Sequence, residues 1–155
     1  ALTGLGAPHW DSYVRGAIFG LTRNTSIADI VKATLQSIAY QTFDLIHCME
    51  KDAGKKMKEM RVDGGMVNND NFIQFLSDVL QINIIRPKNI ETTALGAAYL
   101  AGLFSGIIKD TSDIEKLWKY KKKFKPKMIK KTRDGQVKNW HYHMHKLLNY
   151  REFSR

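Results

Sequence analysis

The sequence of 155 residues contains little cysteine and proline and no long apolar run. Cys48 is the only cysteine, so an internal disulfide is excluded, and a lone thiol is typical of a reducing compartment. No stretch of about 18 apolar residues occurs, which argues against a membrane span, and no signal peptide is visible. These absences predict one globular domain, or part of a larger one, in the cytoplasm.

Two common phosphate-binding motifs are also missing. G-x-x-x-x-G-K-[ST] occurs nowhere, and Gly4-Leu5-Gly6 lacks the third glycine of G-x-G-x-x-G. No nucleophile stands beside a general base. His141 and His145 would share one face of a helix, but no carboxylate or cysteine is near them in the sequence. The sequence therefore predicts no catalytic residue and no metal ligand.

The positive charge is concentrated in one place. The formal net charge is +10, and residues 119–131 (KYKKKFKPKMIKK) contain eight lysines and no acid, which leaves +2 for the other 142 residues. We call residues 119–131 the basic segment. Its charge alone supplies only non-specific attraction and its aromatic residues are few, so we expect a solvated, extended segment and no nucleic-acid binding. An interaction module that uses this segment remains an alternative function.

Hydrophobic periodicity predicts an α/β fold with a β-α-β-α core. Helices are expected at about 26–53, 70–80, 91–102, 111–115 and 132–150, and strands at 14–21, 60–63 and 82–85. Ser26-x-x-Asp29 is a candidate capping box for the first helix, and Gly54 is its expected stop. Gly96 interrupts a helix of small residues, which suggests a close contact there with protein or ligand.

Residues 61–70 (RVDGGMVNND) are the stretch around which the chain is organised. They predict a short strand, a turn at Gly64 and Gly65, and a helix that Asn68, Asn69 or Asp70 could cap. Bare glycine backbone and the free N–H groups of a helix start suit a phosphate-bearing ligand. The alternative is an ordinary turn that needs glycine only for its geometry.

Five blocks of sequence, in order, resemble the FGGY carbohydrate kinases. They are residues 3–11 (TGLGAPHWD), 15–23 (RGAIFGLTR), 37–42 (SIAYQT), 61–65 (RVDGG) and 93–102 (TALGAAYLAG). The resemblance extends over essentially the whole chain and includes Phe124-x-Pro126. The first block favours the members of the family that phosphorylate glycerol.

This resemblance implies an actin-like, ribonuclease-H-like ATPase fold of two domains with a cleft between them. Residues 1–155 would be the C-terminal part of the second domain, ending in a helix at 132–155. Gly65 would present its backbone to ATP or ADP, Asn69 would hydrogen-bond the nucleotide, and Gly64 and Asp63 would shape the turn. Mg²⁺ would accompany the nucleotide, with no ligand identifiable in this chain.

The resemblance also implies that the catalytic aspartate, the phosphate loops and the glycerol-contacting residues lie upstream of Ala1. The main hypothesis is therefore the ATP-binding portion of an ATP:glycerol phosphotransferase, inactive without a missing N-terminal part. A non-catalytic remnant is the alternative. An open sheet edge would make the isolated chain a homo-oligomer or marginally stable.

Overall fold

The computed structural model describes residues 1–150 and is a mixed α/β structure, as predicted. Its helices are α1 (Ile27–Ala53), α2 (Asp70–Leu80), α3 (Thr92–Phe104), α4 (Thr111–Leu117) and α5 (Lys130–Asn149), and its strands are β1 (Glu59–Arg61), β2 (Asn83–Pro87) and β3 (Tyr120–Phe124). A short 3₁₀ helix, Gly65–Asn68, precedes α2. The predicted C-terminal helix is confirmed as α5, while residues 151–155 of that prediction lie outside the described residues.

The three strands form one sheet in the order β1-β2-β3. β1 runs parallel to β2, with Met60 opposite Ile84, whereas β3 runs antiparallel to β2. A parallel pair needs a crossover connection, and α2 supplies it. The β1-α2-β2 unit therefore places the predicted glycine turn immediately after β1.

The long helix α1 follows the predicted boundary signals. The Ser26 hydroxyl accepts from the Asp29 N–H, and the Asp29 carboxylate accepts from the Ser26 N–H at 2.9 Å. At the other end Gly54 adopts φ +62°, the left-handed conformation that ends a helix at low cost. Both ends of α1 are therefore set by the residues beside them.

The core lies on both sides of α2, which packs between α1 and the sheet. Ile73, Val79 and Ile84 are completely shielded from solvent. Buried members of the cluster are Ala39, Val67, Phe72, Ile73, Leu76, Val79, Ile84, Phe124 and Val137. Each fully buried aliphatic side chain contributes about 1.5–3 kcal/mol. The helical spacing of the apolar residues in α2 is what allows one helix to contact both layers.

The strand predicted at residues 14–21 is wrong. The described structure has no strand there, and Ile18 and Leu21 are 59% and 58% exposed. A strand needs a neighbour whose N–H and C=O groups face its own. No such neighbour lies beside this segment within residues 1–150. Instead it approaches α5, where Phe19 stacks on His143 with ring centroids 4.8 Å apart.

Three smaller expectations also need correction. The basic segment begins as an edge strand, β3, because Phe124 is buried against the core. β2 continues to Pro87, with an irregular register between Arg86 and Pro87. The sequence suggests a close contact at Gly96 with protein or with ligand. A Cβ there would meet nothing within 4 Å, so a close protein neighbour is not found among the described residues, and a ligand contact stays a prediction.

Candidate functional site

The glycine turn has the exposed backbone that the sequence predicts. Gly64 adopts φ +85° and ψ 173°, a region that is essentially restricted to glycine. Its N–H donates to the Ile90 carbonyl at 3.2 Å, and its carbonyl accepts from the Val67 N–H at 3.2 Å. Gly65 is exposed, and a Cβ there would meet nothing within 4 Å. The surface of this turn is therefore backbone that a ligand can approach.

Asn69 is the residue that caps α2. Its Oδ1 accepts from the Phe72 N–H at 3.0 Å, and its own N–H donates to the Met66 carbonyl at 3.1 Å. With Oδ1 engaged in the cap, the side-chain N–H₂ is left as a donor, and the residue is exposed. The structure thus selects Asn69 from the three cap candidates and leaves it one hydrogen-bonding group for a ligand.

A buried arginine lies against the turn. Arg86, at the end of β2, is 6% exposed, and its Nη1 donates to the Val67 carbonyl at 2.7 Å and to Asp70 Oδ1 at 2.8 Å. Lys122 of β3 contacts the other Asp70 oxygen at 2.5 Å. The hydrogen bonds from Lys122 and then Arg86 hold the pKa of Asp70 below its ordinary value. The three charges join the turn, β2 and β3.

Arg86 directly follows the strand predicted at residues 82–85 and is not among the predicted site residues. The sequence does contain a signal for a buried charge, because Arg86 follows two apolar residues at the end of a strand that is predicted to be buried. Buried charges are rare unless they are paired and hydrogen-bonded. That rule predicts a partner for Arg86, but not that the partner is the glycine turn.

A second connection ties the turn to the start of α3. The Thr92 hydroxyl donates to the Asp63 carboxylate, and Ile90 accepts from Gly64 as described above. On this side lies a cavity of about 750 Å³, between residues 87–90, α3 and α4. Gly96 lines it, which explains the open space at that position. Ile90 and Thr92 also line the cavity, so it adjoins the turn.

The basic segment is partly neutralised by its neighbours. Lys122 contacts Asp70, and Lys123 contacts Glu59 at 2.9 Å. These pairs tie two lysines of the segment to acidic residues of α2 and β1, which disfavours the segment as an independent interaction module. Within residues 1–150, no group of three or more His, Cys, Asp and Glu side chains could hold a metal ion. Over the same residues, no helix is both long enough and apolar enough to cross a membrane.

Residues 1–104 match the model of the FGGY family of carbohydrate kinases, C-terminal domain. The chain belongs to this family, and its fold is part of the actin-like ATPase fold. It is 51% identical over 150 residues to the glycerol kinase of Mycoplasmoides gallisepticum and 50% identical over 141 residues to that of Listeria monocytogenes. These alignments cover 97% and 91% of this chain, but only 30% and 28% of the relatives.

Solved structures give the same result. The glycerol kinase of Plasmodium falciparum, determined with ADP, has a TM-score of 0.84 at 37% identity, covering 96% of this chain and 30% of that one. A xylulose kinase of Lactobacillus acidophilus shares the fold, with a TM-score of 0.69 at 22% identity over 97% of this chain and 29% of its own. The family expected from the five sequence blocks is confirmed. The chain spans about 30% of the length of the curated relatives it matches.

Proposed function

We propose that this chain is the C-terminal, nucleotide-binding portion of a glycerol kinase, an enzyme that transfers the γ-phosphate of ATP to glycerol. The observation that carries the proposal is the exposed Gly64–Gly65 turn ahead of α2. Similarity to glycerol kinases over almost the whole chain supports glycerol as the acceptor. Residues 1–155 would then form the C-terminal part of the second domain, acting in the cytoplasm.

The turn is suited to bind a nucleotide through backbone and one amide. Gly65 lets ATP or ADP approach the main chain, because no side chain covers it. Gly64 provides the conformation that directs the chain into the 3₁₀ helix. Asn69 donates its free N–H₂ to an oxygen or ring nitrogen of the nucleotide. In this arrangement the chain binds and orients one substrate.

Mg²⁺ would accompany the nucleotide and neutralise charge on its phosphates. The carboxylates beside the turn do not fit the role of Mg²⁺ ligands, since Asp63 is hydrogen-bonded to Thr92 and Asp70 to Lys122 and Arg86. We therefore assign no Mg²⁺ ligand here. The catalytic aspartate, the phosphate loops and the glycerol contacts would come from the rest of the relatives' length.

Calorimetric titration of the chain with Mg-ADP tests the proposed site. Saturable binding is expected, and Gly65→Val should abolish it by placing a branched side chain against the nucleotide. Gly6→Val is the matched control, because Gly6 is exposed and also has nothing within 4 Å of its Cβ position. Equal binding by Gly65→Val would place the nucleotide elsewhere. No binding by the unaltered chain would favour a non-catalytic remnant.

Activity is a separate test. We expect no glycerol phosphorylation by residues 1–155 alone, because one wall of a cleft cannot hold both substrates in reacting geometry. Addition of a segment that corresponds to the rest of the relatives' length should give turnover. Measurable formation of glycerol phosphate by the isolated chain would contradict this account.

A further inference from the structure

Arg86 connects the sheet to both sides of the Asn69 cap. One guanidinium nitrogen, Nη1, reaches the Val67 carbonyl in the 3₁₀ helix and the Asp70 carboxylate in the first turn of α2. These acceptors lie two residues before Asn69 and one residue after it. A single buried group on β2 therefore holds the Val67 main chain on one side, and the Asp70 side chain on the other side, of the residue that is left with a free amide donor.

We propose that Arg86 is a positioning residue for the nucleotide turn: it sets the orientation of the Asn69 amide without touching the nucleotide. This inference rests on the proposed function. The charge is buried, with the side chain 7% exposed, so its contacts are screened little by solvent. Both hydrogen bonds come from Nη1, whose N–H directions are fixed by the rigid, planar guanidinium, and a lysine ammonium on a flexible stem does not reproduce that geometry.

Lys122 provides the internal comparison. It binds the same carboxylate as Arg86, but its side chain is 48% exposed and no hydrogen bond joins it to Val67. Exposed ion pairs contribute little. If the turn only required a cation near Asp70, Lys122 and Arg86 would be interchangeable. If it requires the link to the Val67 carbonyl, only Arg86 matters.

The test compares Arg86→Lys and Arg86→Met with Lys122→Met in the full chain, using Mg-ADP as the probe in calorimetry. Both Arg86 variants should weaken ADP binding by about tenfold or more, while Lys122→Met should stay within about twofold of the unaltered chain. Arg86→Lys keeps the charge, so it tests the inference even if Arg86→Met fails to fold.

Amide hydrogen exchange without nucleotide separates positioning from general destabilisation. The Val67 and Asn69 amides donate within the turn, whereas those of Val79 and Ile84 report on the core. In Arg86→Lys we expect faster exchange at Val67 and Asn69, with little change at Val79 and Ile84.

Two results would overturn the inference while leaving the proposed function intact: ADP binding by Arg86→Lys equal to that of the unaltered chain, or an exchange increase that is uniform across turn and core. Failure of the unaltered chain to bind ADP is a distinct result. It would remove the proposed function, and the inference with it.

Discussion

The indole N–H of Trp140 donates a 2.7 Å hydrogen bond to the carboxylate of Asp44. His141 Nε2 lies 2.7 Å from the other carboxylate oxygen. Asp44 is buried on α1, and both partners are on α5, so one carboxylate fastens the C-terminal helix to the long helix. Stacking of Tyr40 on Trp140, with centroids 5.4 Å apart, adds an apolar contact beside it.

Asp44→Ala should therefore destabilise the chain by about 1–3 kcal/mol, because it leaves the part-buried Trp140 N–H without its acceptor. Asp134→Ala is the matched control, since Asp134 is 53% exposed and pairs with its neighbour Arg133. That surface pair should contribute about 0–1 kcal/mol. Urea unfolding measures both changes in the free energy of unfolding, provided that its slope against urea concentration is the same in each variant. Equal losses for the two variants would mean that the α1–α5 link does not depend on Asp44.

The two glycines of the turn should respond differently to alanine. Gly64→Ala forces a side chain into φ +85°, ψ 173° and should cost about 1–3 kcal/mol. Gly65 has neither a positive φ nor a neighbour within 4 Å, so Gly65→Ala should be close to neutral. Thermal melting of both variants checks this. A stable Gly64→Ala protein would show that the turn can adopt another conformation.

Acid should weaken the cluster around Asp70. Hydrogen bonds from Lys122 and then Arg86 lower its pKa below the ordinary 3.8, so the folded state favours the ionised carboxylate. Its contribution to stability is complete above the unfolded-state pKa and is lost as the pH falls through the lower folded-state pKa. The affected range is therefore below pH 3.8.

Removing the larger cause should reduce this acid sensitivity. Lys122→Met should lose slightly less stability on acidification than the unaltered chain, because the Asp70–Lys122 pair is about half exposed and contributes little. The comparison is between urea midpoints at neutral pH and at a pH well below 3.8. Lys116→Met removes the same charge from α4, where Lys116 is 73% exposed and pairs with Asp113, and should retain the full acid loss. Identical acid profiles for all three proteins would exclude this role of Lys122.

The isolated chain should self-associate. Within the described residues β1 is an edge strand of three residues. Apolar side chains are also exposed at and just after the end of α3: Leu100, Phe104 and Ile107 are 70%, 96% and 84% exposed. Sedimentation should show oligomers that Leu100→Gln/Phe104→Gln reduces. Leu2→Gln, at a position that is 89% exposed, controls for loss of a scattered apolar residue. A monomer with a sharp, cooperative melt would contradict the expectation.

Features with local causes were predictable. Ser26, Asp29 and Gly54 define the ends of α1 through hydrogen bonds and backbone conformation within a few residues of each end. The Gly64–Gly65 turn also follows from its own sequence. The local sequence does not predict that Asn69, among its neighbours, caps α2, because that depends on how the 3₁₀ helix leads into α2.

Features that depend on distant partners were missed. The pattern at residues 14–21 is that of a strand, but a strand forms only where another segment completes its hydrogen bonds, and none does so within the described chain. The pairing of Arg86 with Val67, 19 residues away, and of Lys122 with Asp70, 52 residues away, requires β2 and β3 to lie beside the start of α2, and no local pattern determines that.

Motifs, caps and hydrophobic spacing act over short stretches of chain, so the family, the helices of the core and the location of the glycine turn follow from the sequence. Which charged side chains contact the start of α2 depends instead on the folded structure. Arg86 and Lys122 reach Asp70 because the sheet order β1-β2-β3 places both strands beside the start of α2. Long-range contacts of charged side chains follow no periodic pattern in the sequence, so they can be identified only in the folded structure.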